Sequence, residues 1–281
     1  MTEKTLQTLL PSHPTSDGDG VKIRRVGLFD QPAADPFLML DELVSDDEAD
    51  YIGGFPPHPH RGMETLTYLI KGALKHRDHL GNKGEIRSGG AQWMSAGKGI
   101  IHSEMPELDM GGLHGFQLWI NLPASEKMLP PKYRDVPAPQ IPILELEQKR
   151  GQVAAIAGRW IIDGQGINGP LDDLAAHAGY LDISLNAGAS LTLPVPEGQR
   201  CLVYVFQGQL EQRPLAPAQT LFVFSTDGDS VTLKAQTDSR MLMLTGTPIK
   251  EPVVHYGPFV MNTHEEIEQA IRDYQSGSFG K

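Results

Sequence analysis

The sequence predicts an all-β protein with two β-barrel domains and one short helix near its C-terminal end. Glycine and proline are abundant, with 30 and 22 residues in a chain of 281. This composition favours many short strands joined by turns over a helical bundle. Strand-like runs occur in both halves of the chain, and one hairpin pattern occurs once in each half. Together these observations indicate duplication of a single β-barrel domain.

Length and charge limit the function classes. Domains usually contain about 100–200 residues, so the chain fits two modest domains. The formal net charge is −11, whereas phosphate backbones require a basic surface, so we expect no direct nucleic-acid binding. The single cysteine, Cys201, excludes an intrachain disulfide and a cysteine-based zinc site, which suits a reducing, cytoplasmic environment. We find neither a secretory h-region nor a run of about 18 apolar residues, so no membrane association is expected.

The first half of the chain is predicted to consist of short strands. The first twenty residues are polar and are predicted to form a loop, and the acidic run at 45–50 is predicted to be a solvated loop. Runs rich in β-branched, aromatic and other apolar residues predict strands. They lie at 21–26, 36–43, 64–70, 73–78, 92–95, 100–104 and 113–122.

The segment 123–142 interrupts this pattern. It contains six prolines and no strand-like alternation, so we interpret it as the connector between two halves. The predicted domains are therefore 1–136, which carries the candidate metal ligands, and 137–281, which includes the C-terminal helix.

The second half resumes the strand pattern and ends in a helix. Strands are predicted at 153–162, 180–185, 190–193, 201–206, 220–224, 230–233 and 240–245. Thr263 and Glu266 have the spacing of a capping box, and Gly277 can end the helix that follows. The apolar face of this helix consists of Ile267, Ala270, Ile271 and Tyr274.

One hairpin pattern is repeated between the halves. TLTYLIKGAL at 65–74 resembles CLVYVFQGQL at 201–210, and each reads as a strand, a glycine turn and a returning strand. The match supports duplication of one domain.

Two short elements carry the chemistry. In His58-Pro59-His60 and in His102-Ser103-Glu104, residues two apart on a strand project to the same side. Either element by itself is more often a surface loop. Their occurrence together in one β-rich domain, with a glycine-rich stretch between them, indicates a metal site. Pro59 cannot donate a ladder hydrogen bond, so this stretch is predicted at a sheet edge or at the start of a strand.

The predicted ligand set indicates which metals fit. Three imidazoles and one carboxylate leave two positions on a six-coordinate ion, which suits non-haem iron(II) and also manganese, nickel or copper. Zinc usually prefers tetrahedral closure with four ligands. Open positions admit dioxygen, water or a chelating substrate. Glu64, four residues after His60, competes with Glu104 for the carboxylate role.

Other residues that could contribute chemistry are interpreted as structural. His76 and His79 lie in a returning strand and its turn and are predicted to face solvent. His114 is interpreted as a hydrogen-bonded core histidine, and Trp93 and Trp119 as core residues.

Long stretches of the chain closely resemble the pirin family. The segment from FPPHPHRG to HSEMP, at 55–106, resembles the pirin metal-binding segment, and LHGFQLWINLP resembles the strand after it. EPVVHYGPFVMNTHEEIEQAIRDYQSGSFG, at 251–280, resembles the C-terminal signature of the family. The general cupin pattern is met only in part, since Gly97 stands where a proline is usual and Pro106 where an asparagine is common.

The resemblance implies a fold and a ligand set. Pirins are bicupins, with two antiparallel, jelly-roll-like cupin β-barrels face to face and iron in the N-terminal barrel. Matched motif by motif, the resemblance assigns the metal to His58, His60, His102 and Glu104. It leaves Glu64 a structural or supporting role.

The repeat adds an expectation for the second barrel. Extending the hairpin match places His58 opposite Pro194 and His60 opposite Pro196. We therefore expect one divalent metal per chain, with iron first and manganese, nickel, copper or zinc as alternatives.

The resemblance also implies an activity. Some family members resemble quercetinases, which insert dioxygen into a flavonol, a small aromatic and enolic substrate, and release carbon monoxide. Glu104, or Glu64 if it faces the cavity, would accept the hydroxyl proton as general base. A second hypothesis is an iron-binding, redox-sensitive regulator that binds a protein partner, such as a transcription factor or a metabolic enzyme, without turnover. A third is an inert, storage-type bicupin, which would need no ligand set.

Overall fold

The protein consists almost entirely of β-strands. Its structure, a computed structural model, describes residues 1–211 and 216–281. The strands of the first half are β1 (Leu6–Pro11), β2 (His13–Asp17), β3 (Val21–Gly27), β4 (Phe37–Ser45), β5 (Phe55–His60), β6 (Met63–Lys71), β7 (Ala73–Asp78), β8 (Lys83–Arg87), β9 (Ala91–Ser95), β10 (Ile100–Pro106), β11 (Leu113–Asn121) and β12 (Lys132–Val136).

The second half contains as many strands and ends in the helix. These elements are β13 (Ile143–Leu146), β14 (Gly151–Ala157), β15 (Arg159–Ile162), β16 (Gln165–Asn168), β17 (Gly179–Leu185), β18 (Ser190–Pro194), β19 (Arg200–Gln207), β20 (Thr220–Phe224), β21 (Ser230–Lys234), β22 (Ser239–Gly246), β23 (Val254–Tyr256), β24 (Phe259–Met261) and α1 (His264–Gln275). Single-turn 3-10 helices lie at Pro32–Ala34, Glu48–Asp50, Ala138–Gln140, Glu147–Lys149 and Ala175–His177. Within the described ranges, no helix is long and apolar enough to cross a membrane.

The chain forms two compact units. The first, which we call the histidine unit, comprises residues 13–32, 37–139 and 249–281. The second, the aliphatic unit, comprises residues 1–12, 33–36 and 140–248. The prediction of an all-β chain with two cupin barrels and a short C-terminal helix is confirmed.

The histidine unit is built from a large and a small antiparallel sheet. The large sheet has the strand order β12-β9-β6-β11-β4-β3-β2, and the small one has the order β5-β10-β7-β8. Strand β5, which contains Pro59, is at the edge of the small sheet, as the missing donor of proline predicts. The hairpin of β23 and β24 and the helix α1 complete the unit.

The aliphatic unit has a similar arrangement of strands with an apolar interior. Its seven-stranded sheet has the order β1-β20-β19-β22-β17-β14-β13, and β18 pairs with β21. The core of the unit is one large cluster of buried aliphatic and aromatic side chains, among them Leu191, Leu193, Val203 and Val231, each at most 1% exposed. Burial of this much apolar surface is the main term that holds such a unit together.

Most strand predictions agree with the structure, and two segments correct them. The first twenty residues were predicted to form a loop, but they contain β1 and β2. Strand β1 pairs with β20, more than 200 residues away, so a long-range contact decides its conformation. The connector 123–142 contains β12, which pairs with β9 at a sheet edge. Its polar sequence, KYRDV, has no apolar face that would reveal a strand.

The two ends of the chain also differ from the linear domains predicted. Residues 1–12 belong to the aliphatic unit, and residues 249–281 belong to the histidine unit. The reason is visible in α1, because Arg61 beside β5 donates to Asp273 at 2.8 Å and lies over the ring of Phe279 at 4.6 Å. The C-terminal helix is thus anchored next to the candidate metal ligands.

The helix itself begins and ends as predicted. The Thr263 side chain accepts from the backbone N–H of Glu266, whose carboxylate accepts from the backbone N–H of Thr263, which completes the capping box. Gly277 follows the last turn with φ +71°. Buried Ile267 and Ala270 form the face that packs onto the unit.

The repeated hairpin has a shared structural reason. Gly72 and Gly208 occupy matching turn positions with φ +93° and φ +75°, where only glycine is unstrained. A Cβ at Gly208 would lie 2.2 Å from the carbonyl oxygen of Asp238. The two hairpins therefore require glycine at the same point of the fold.

Candidate metal centre

Three histidines converge inside the histidine unit. Strands β5 and β10 run antiparallel, and His58 is the direct partner of His102, while His60 pairs with Ile100. The ring centroids lie 4.4 Å apart for His58 and His102, 4.8 Å for His58 and His60, and 5.0 Å for His60 and His102. One ligand atom from each ring lies within 4.8 Å of the other two. The two-residue spacing in His-Pro-His thus brings both rings to the same side of the strand.

Burial keeps the imidazoles of His60 and His102 neutral. His60 and His102 are each 2% exposed. Burial lowers the pKa of His60 well below its ordinary value, the neighbouring His58 lowers it further, and the backbone of Pro258 acts in the opposite direction. Burial also lowers the pKa of His102 well below the usual range, and His60, His58 and His76 add to the effect. Neutral imidazoles offer the lone pair that a metal ion requires.

The ring nitrogens fit a bound metal. Three buried ring nitrogens, both of those in His60 and Nε2 of His102, have no hydrogen-bond partner of good geometry among the described residues. Such orphaned polar atoms are rare in native interiors and call for an ion, a water molecule or a catalytic role. The Nδ1 of His58 lies 2.8 Å from the carbonyl oxygen of Pro56, so it carries the proton and leaves Nε2 for coordination.

Glu104 lies beside this cluster but is held by other partners. It is 3% exposed and lines the same cavity as His58 and His60. The hydroxyl of Thr67 and the amide of Gln117 each donate to its carboxylate at 3.4 Å. These long bonds leave the carboxylate oxygens with spare accepting capacity. The compact cluster itself comprises only the three histidines, so coordination by Glu104 remains a prediction.

Glu64 does not face the site. It lies on β6 three residues before Thr67, which contacts Glu104. The pairing of β6 with β9 and β11 is regular from Glu64 to Thr67, so the two side chains project to opposite faces of the sheet. The sheet pairing favours Glu104 over Glu64 at the site, and a role of Glu64 as metal ligand or general base stays a prediction. A carboxylate four residues after His60 has the spacing of a metal ligand, but the alternation of side chains along β6 decides which face of the sheet it occupies.

A large cavity is lined by two of the clustered histidines, His58 and His60. Its volume is about 870 Å³, which is within the range of small-molecule sites. Trp119 lines it and stands edge-on to His60, with ring centroids 5.1 Å apart. Phe29 and His255 also line it and stack on each other at 3.9 Å. Trp119, interpreted from the sequence as a core residue, is thus part of the cavity wall.

The sequence interpretation of His76 is also wrong. His76 is 1% exposed, and its Nδ1 lies 3.4 Å from Nδ1 of His102. Strand alternation carries the missed signal, since Leu74 and His76 of β7 are buried while Lys75 and Arg77 are exposed. His79 is exposed, as predicted, and accepts from the backbone N–H of Ile101. His114 is hydrogen-bonded to Glu42 at 3.0 Å, as expected for a structural histidine.

Strand β18, which is described in full, contains no histidine, and the alignment that compared it with β5 is shifted. Pro194 and Pro196 are exposed, whereas Leu193 and Val195 point into the core. The loop before β6 spans residues 61–62, and the loop before β19 spans 195–199. This difference in loop length changes the register of the preceding strand, so a hairpin match does not extend across it.

Comparisons with known proteins agree with this geometry. A protein from Vibrio cholerae, provisionally named a quercetin 2,3-dioxygenase, is 50% identical over 99% of this chain and 98% of its own length. Human Pirin is 37% identical over 96% of this chain and 91% of its own length. The crystal structure of quercetin 2,3-dioxygenase from Acinetobacter baumannii superposes with a TM-score of 0.90 at 33% identity and covers 99% of both chains.

Family models match both halves of the chain. The model described as Pirin matches residues 21–120, which contain all three clustered histidines. The model described as Pirin C-terminal cupin domain matches residues 180–280. The chain therefore belongs to the pirin family.

Proposed function

We propose that this protein is a metal-dependent dioxygenase that cleaves a flavonol, or a similar small enolic aromatic compound, with dioxygen. The metal is proposed to be a single iron ion bound by His58, His60 and His102, with Glu104 as fourth ligand or as general base. The observation that carries the proposal is the cavity of about 870 Å³, which is lined by His58, His60 and Glu104 together with aromatic side chains. An inert storage protein would need neither an open cavity nor orphaned buried imidazoles.

The cavity suits a flat, mostly apolar molecule. Trp119, Phe29 and Phe55 offer aromatic surfaces, and Met39 and Leu43 add apolar contacts. A flavonol has a planar ring system with adjacent hydroxyl and keto oxygens, which could be directed at the histidines while its rings lie between these walls. The names of the Vibrio cholerae and Acinetobacter baumannii relatives are consistent with this substrate class.

The residues of the chain perform the acid–base part of the reaction. The carboxylate of Glu104 accepts the proton of the enolic hydroxyl, because its contacts to Thr67 and Gln117 are long and leave both oxygens able to accept another hydrogen. Trp119 and Phe29 exclude water from the substrate ring. A metal bound by the histidines would stabilise the resulting enolate charge and supply redox chemistry with dioxygen. The net reaction converts one flavonol and one dioxygen into one depside and one carbon monoxide.

The test combines metal analysis with a quercetin-depletion assay. Wild-type protein is expected to contain about one metal ion per chain and to consume quercetin and dioxygen in equal amounts with release of carbon monoxide. His58→Ala should lose both metal and turnover. His13→Ala, which removes an exposed histidine of the same unit, is the matched control and should retain both. A metal-loaded wild type that is inert towards flavonols contradicts the dioxygenase, and turnover by a metal-free His58→Ala contradicts the role of the metal.

An alternative is a redox-sensitive regulator that binds iron and a protein partner without turnover. The open cavity favours the enzyme, because a regulator would have no need for free space around its metal. The same assay separates the two, since the regulator predicts full metal loading without loss of quercetin.

A further inference from the structure

Two buried side chains outside the predicted ligand set form a hydrogen-bonded chain that leads from Asp78 through His76 to His102. His76 on β7 places Nδ1 3.4 Å from Nδ1 of His102, and its Nε2 lies 3.3 Å from Oδ2 of Asp78. The side chains of His76 and Asp78 are 1% and 0% exposed, so water does not compete for these bonds. The pairing of β7 with β10 places Asp78 directly opposite His102 and fixes the spacing of the three groups.

We propose that Asp78 and His76 are positioning residues that fix the tautomer and orientation of His102 and so direct its Nε2 at the metal. The inference rests on the metal site of the proposed function. It concerns how the site is prepared before the metal binds.

The partners of Asp78 decide which group donates and which accepts in each of these hydrogen bonds. Its carboxylate accepts from the backbone N–H groups of Leu80 and Asn82, each at 3.0 Å, and from the side-chain amide of Asn82 at 2.7 Å. A carboxylate surrounded by donors acts only as an acceptor. Nε2 of His76 must therefore carry a hydrogen and donate it to Asp78.

The next step fixes His102. A neutral His76 that donates from Nε2 has only a lone pair at Nδ1. Nδ1 of His102 must then carry the hydrogen and donate it, which leaves a lone pair at Nε2 of His102. That atom is buried and, among the described residues, has no hydrogen-bond partner. The same order of donor and acceptor, from carboxylate to histidine to metal, is a general way to orient metal ligands.

The ring of His76 is held in place from the other side. Tyr133 of β12 stacks on it with a centroid distance of 4.4 Å and an interplanar angle of 28°. The hydroxyl of Tyr133 donates to Asp135 at 2.7 Å and accepts from the amide of Gln92 at 3.0 Å. These bonds fix the position of the Tyr133 hydroxyl, and the stacked ring restricts the rotation of His76. Both ring nitrogens of His76 are occupied, so it is not itself a candidate ligand.

His58 provides an internal contrast. Its tautomer is fixed by a backbone carbonyl, that of Pro56, whereas His102 depends on side chains. Substitution can therefore remove the orienting contact of His102 without touching the ligand. Loss of such supporting contacts typically weakens metal affinity about 10–100-fold.

The experiment uses four variants and two measurements. His76→Phe keeps a ring that can stack on Tyr133 but removes the acceptor. Asp78→Asn keeps an oxygen for the backbone N–H groups of Leu80 and Asn82 and places an NH2 group, which cannot accept, opposite Nε2 of His76. His76→Asn places an amide oxygen near the position of Nδ1 and should restore the bond to His102. Asp109→Asn makes the same chemical change as Asp78→Asn at an exposed turn with φ +61°, which asparagine tolerates, and serves as matched control.

The first measurement is independent of the metal. Nitrogen-15 NMR of histidine in the metal-free wild type should show His102 with its proton on Nδ1, and His76→Phe should shift it towards a mixture of tautomers. The second is a competition titration with Ni²⁺ against a chelating dye. His76→Phe and Asp78→Asn should bind about 10–100-fold more weakly than wild type. His76→Asn and Asp109→Asn should bind within a few-fold of it.

Each alternative outcome has one meaning. A proton on Nε2 of His102 in the wild type overturns the proposal, and so does unchanged Ni²⁺ affinity in a folded His76→Phe. If Asp78→Asn fails to fold because its turn is lost, His76→Phe and His76→Asn still decide. If the wild type binds no Ni²⁺ but shows the predicted tautomer, the metal site of the proposed function fails and the orienting pair stands.

Discussion

The two barrels show how one fold can be filled in opposite ways. In the histidine unit, His60, His102 and Glu104 are each at most 3% exposed, and His60 and Glu104 line an open cavity. In the aliphatic unit, Leu191, Leu193 and many neighbours form a continuous apolar core. Buried apolar contacts stabilise a fold, whereas buried orphaned imidazoles do not. We therefore expect the buried metal-site residues to lower the stability of the histidine unit, whereas the apolar core of the aliphatic unit carries no such cost.

The strongest test of this contrast places a histidine in the wrong barrel. Leu193→His buries an imidazole among aliphatic side chains and loses the packing of a leucine that is 0% exposed. We expect the free energy of unfolding to fall by about 3–5 kcal/mol. Urea unfolding measures it, and Thr192→His on the exposed face of the same strand should change it by less than about 0.5 kcal/mol. Equal effects of the two variants would show that the interior of the aliphatic unit tolerates polar groups.

The reverse exchange in the histidine unit should separate stability from binding. His60→Leu removes orphaned buried nitrogens and adds an apolar side chain, so the metal-free protein should gain about 1 kcal/mol. Metal affinity should fall at least about 100-fold because a ligand is lost. Urea unfolding in the presence of a chelator and a metal titration measure the two quantities. A metal-free variant that is clearly less stable than wild type would mean that His60 contributes to packing.

Much of this contrast could be predicted from the sequence, and the exceptions have physical causes. His58, His60 and His102 were predictable because strand parity places residues two apart on the same side. Glu64 and His76 were not, since their roles depend on which face of β6 and β7 points inward, and only the pairing of the whole sheet decides that. Strand β1 was missed because its partner, β20, is distant in the chain.

Each unit also contains a buried lysine, and these residues permit a matched comparison. Nζ of Lys127 donates to the carbonyls of Gly62 and Val260 and to the side chain of Asn121, at 2.7–3.0 Å. Nζ of Lys4 donates to three carbonyl oxygens at 3.0–3.3 Å. Lys127→Met should leave buried acceptors unsatisfied and lower the free energy of unfolding by about 2–3 kcal/mol. Lys4→Met should have a smaller effect, because its bonds are longer. Denaturant unfolding of both variants checks the order.

The pH dependence of stability tests the same lysine. Burial lowers the pKa of Lys127 to about 7, well below its ordinary value of 10.5. Between these values the unfolded chain holds a proton that the folded protein has released, so this group makes stability rise as the pH increases from about 7 to 10.5. Lys127→Met should remove that rise, which is at most about 1.4 kcal/mol per pH unit. Unfolding curves from pH 7.5 to 9.5 measure it, and parallel profiles of wild type and variant would contradict the assignment. His60 and His102 stay neutral throughout this range, because their pKa values lie well below 6.5.

The smallest expected change in stability concerns two similar ion pairs, one in each unit. Arg25 holds Asp41 in the histidine unit with bonds of 2.8 and 2.6 Å, and Arg240 holds Asp182 in the aliphatic unit with bonds of 3.0 and 2.6 Å. Both arginines are partly exposed, so Asp41→Asn and Asp182→Asn should each lower the free energy of unfolding by only about 1 kcal/mol.

Their effects on function should differ. Arg25 and Asp41 line the cavity beside the histidines, so Asp41→Asn removes one negative charge from its wall. The KM for a neutral flavonol should change a few-fold at most, and a carboxylated flavonol should bind better than it does to wild type. Asp182→Asn should change the KM for neither the neutral nor the carboxylated flavonol, because Asp182 is not among the residues that line this cavity. Steady-state kinetics with the two substrates decide the matter. A response to Asp182→Asn as large as that to Asp41→Asn would mean that both substitutions act through stability alone, and that the charges on the cavity wall do not select the substrate.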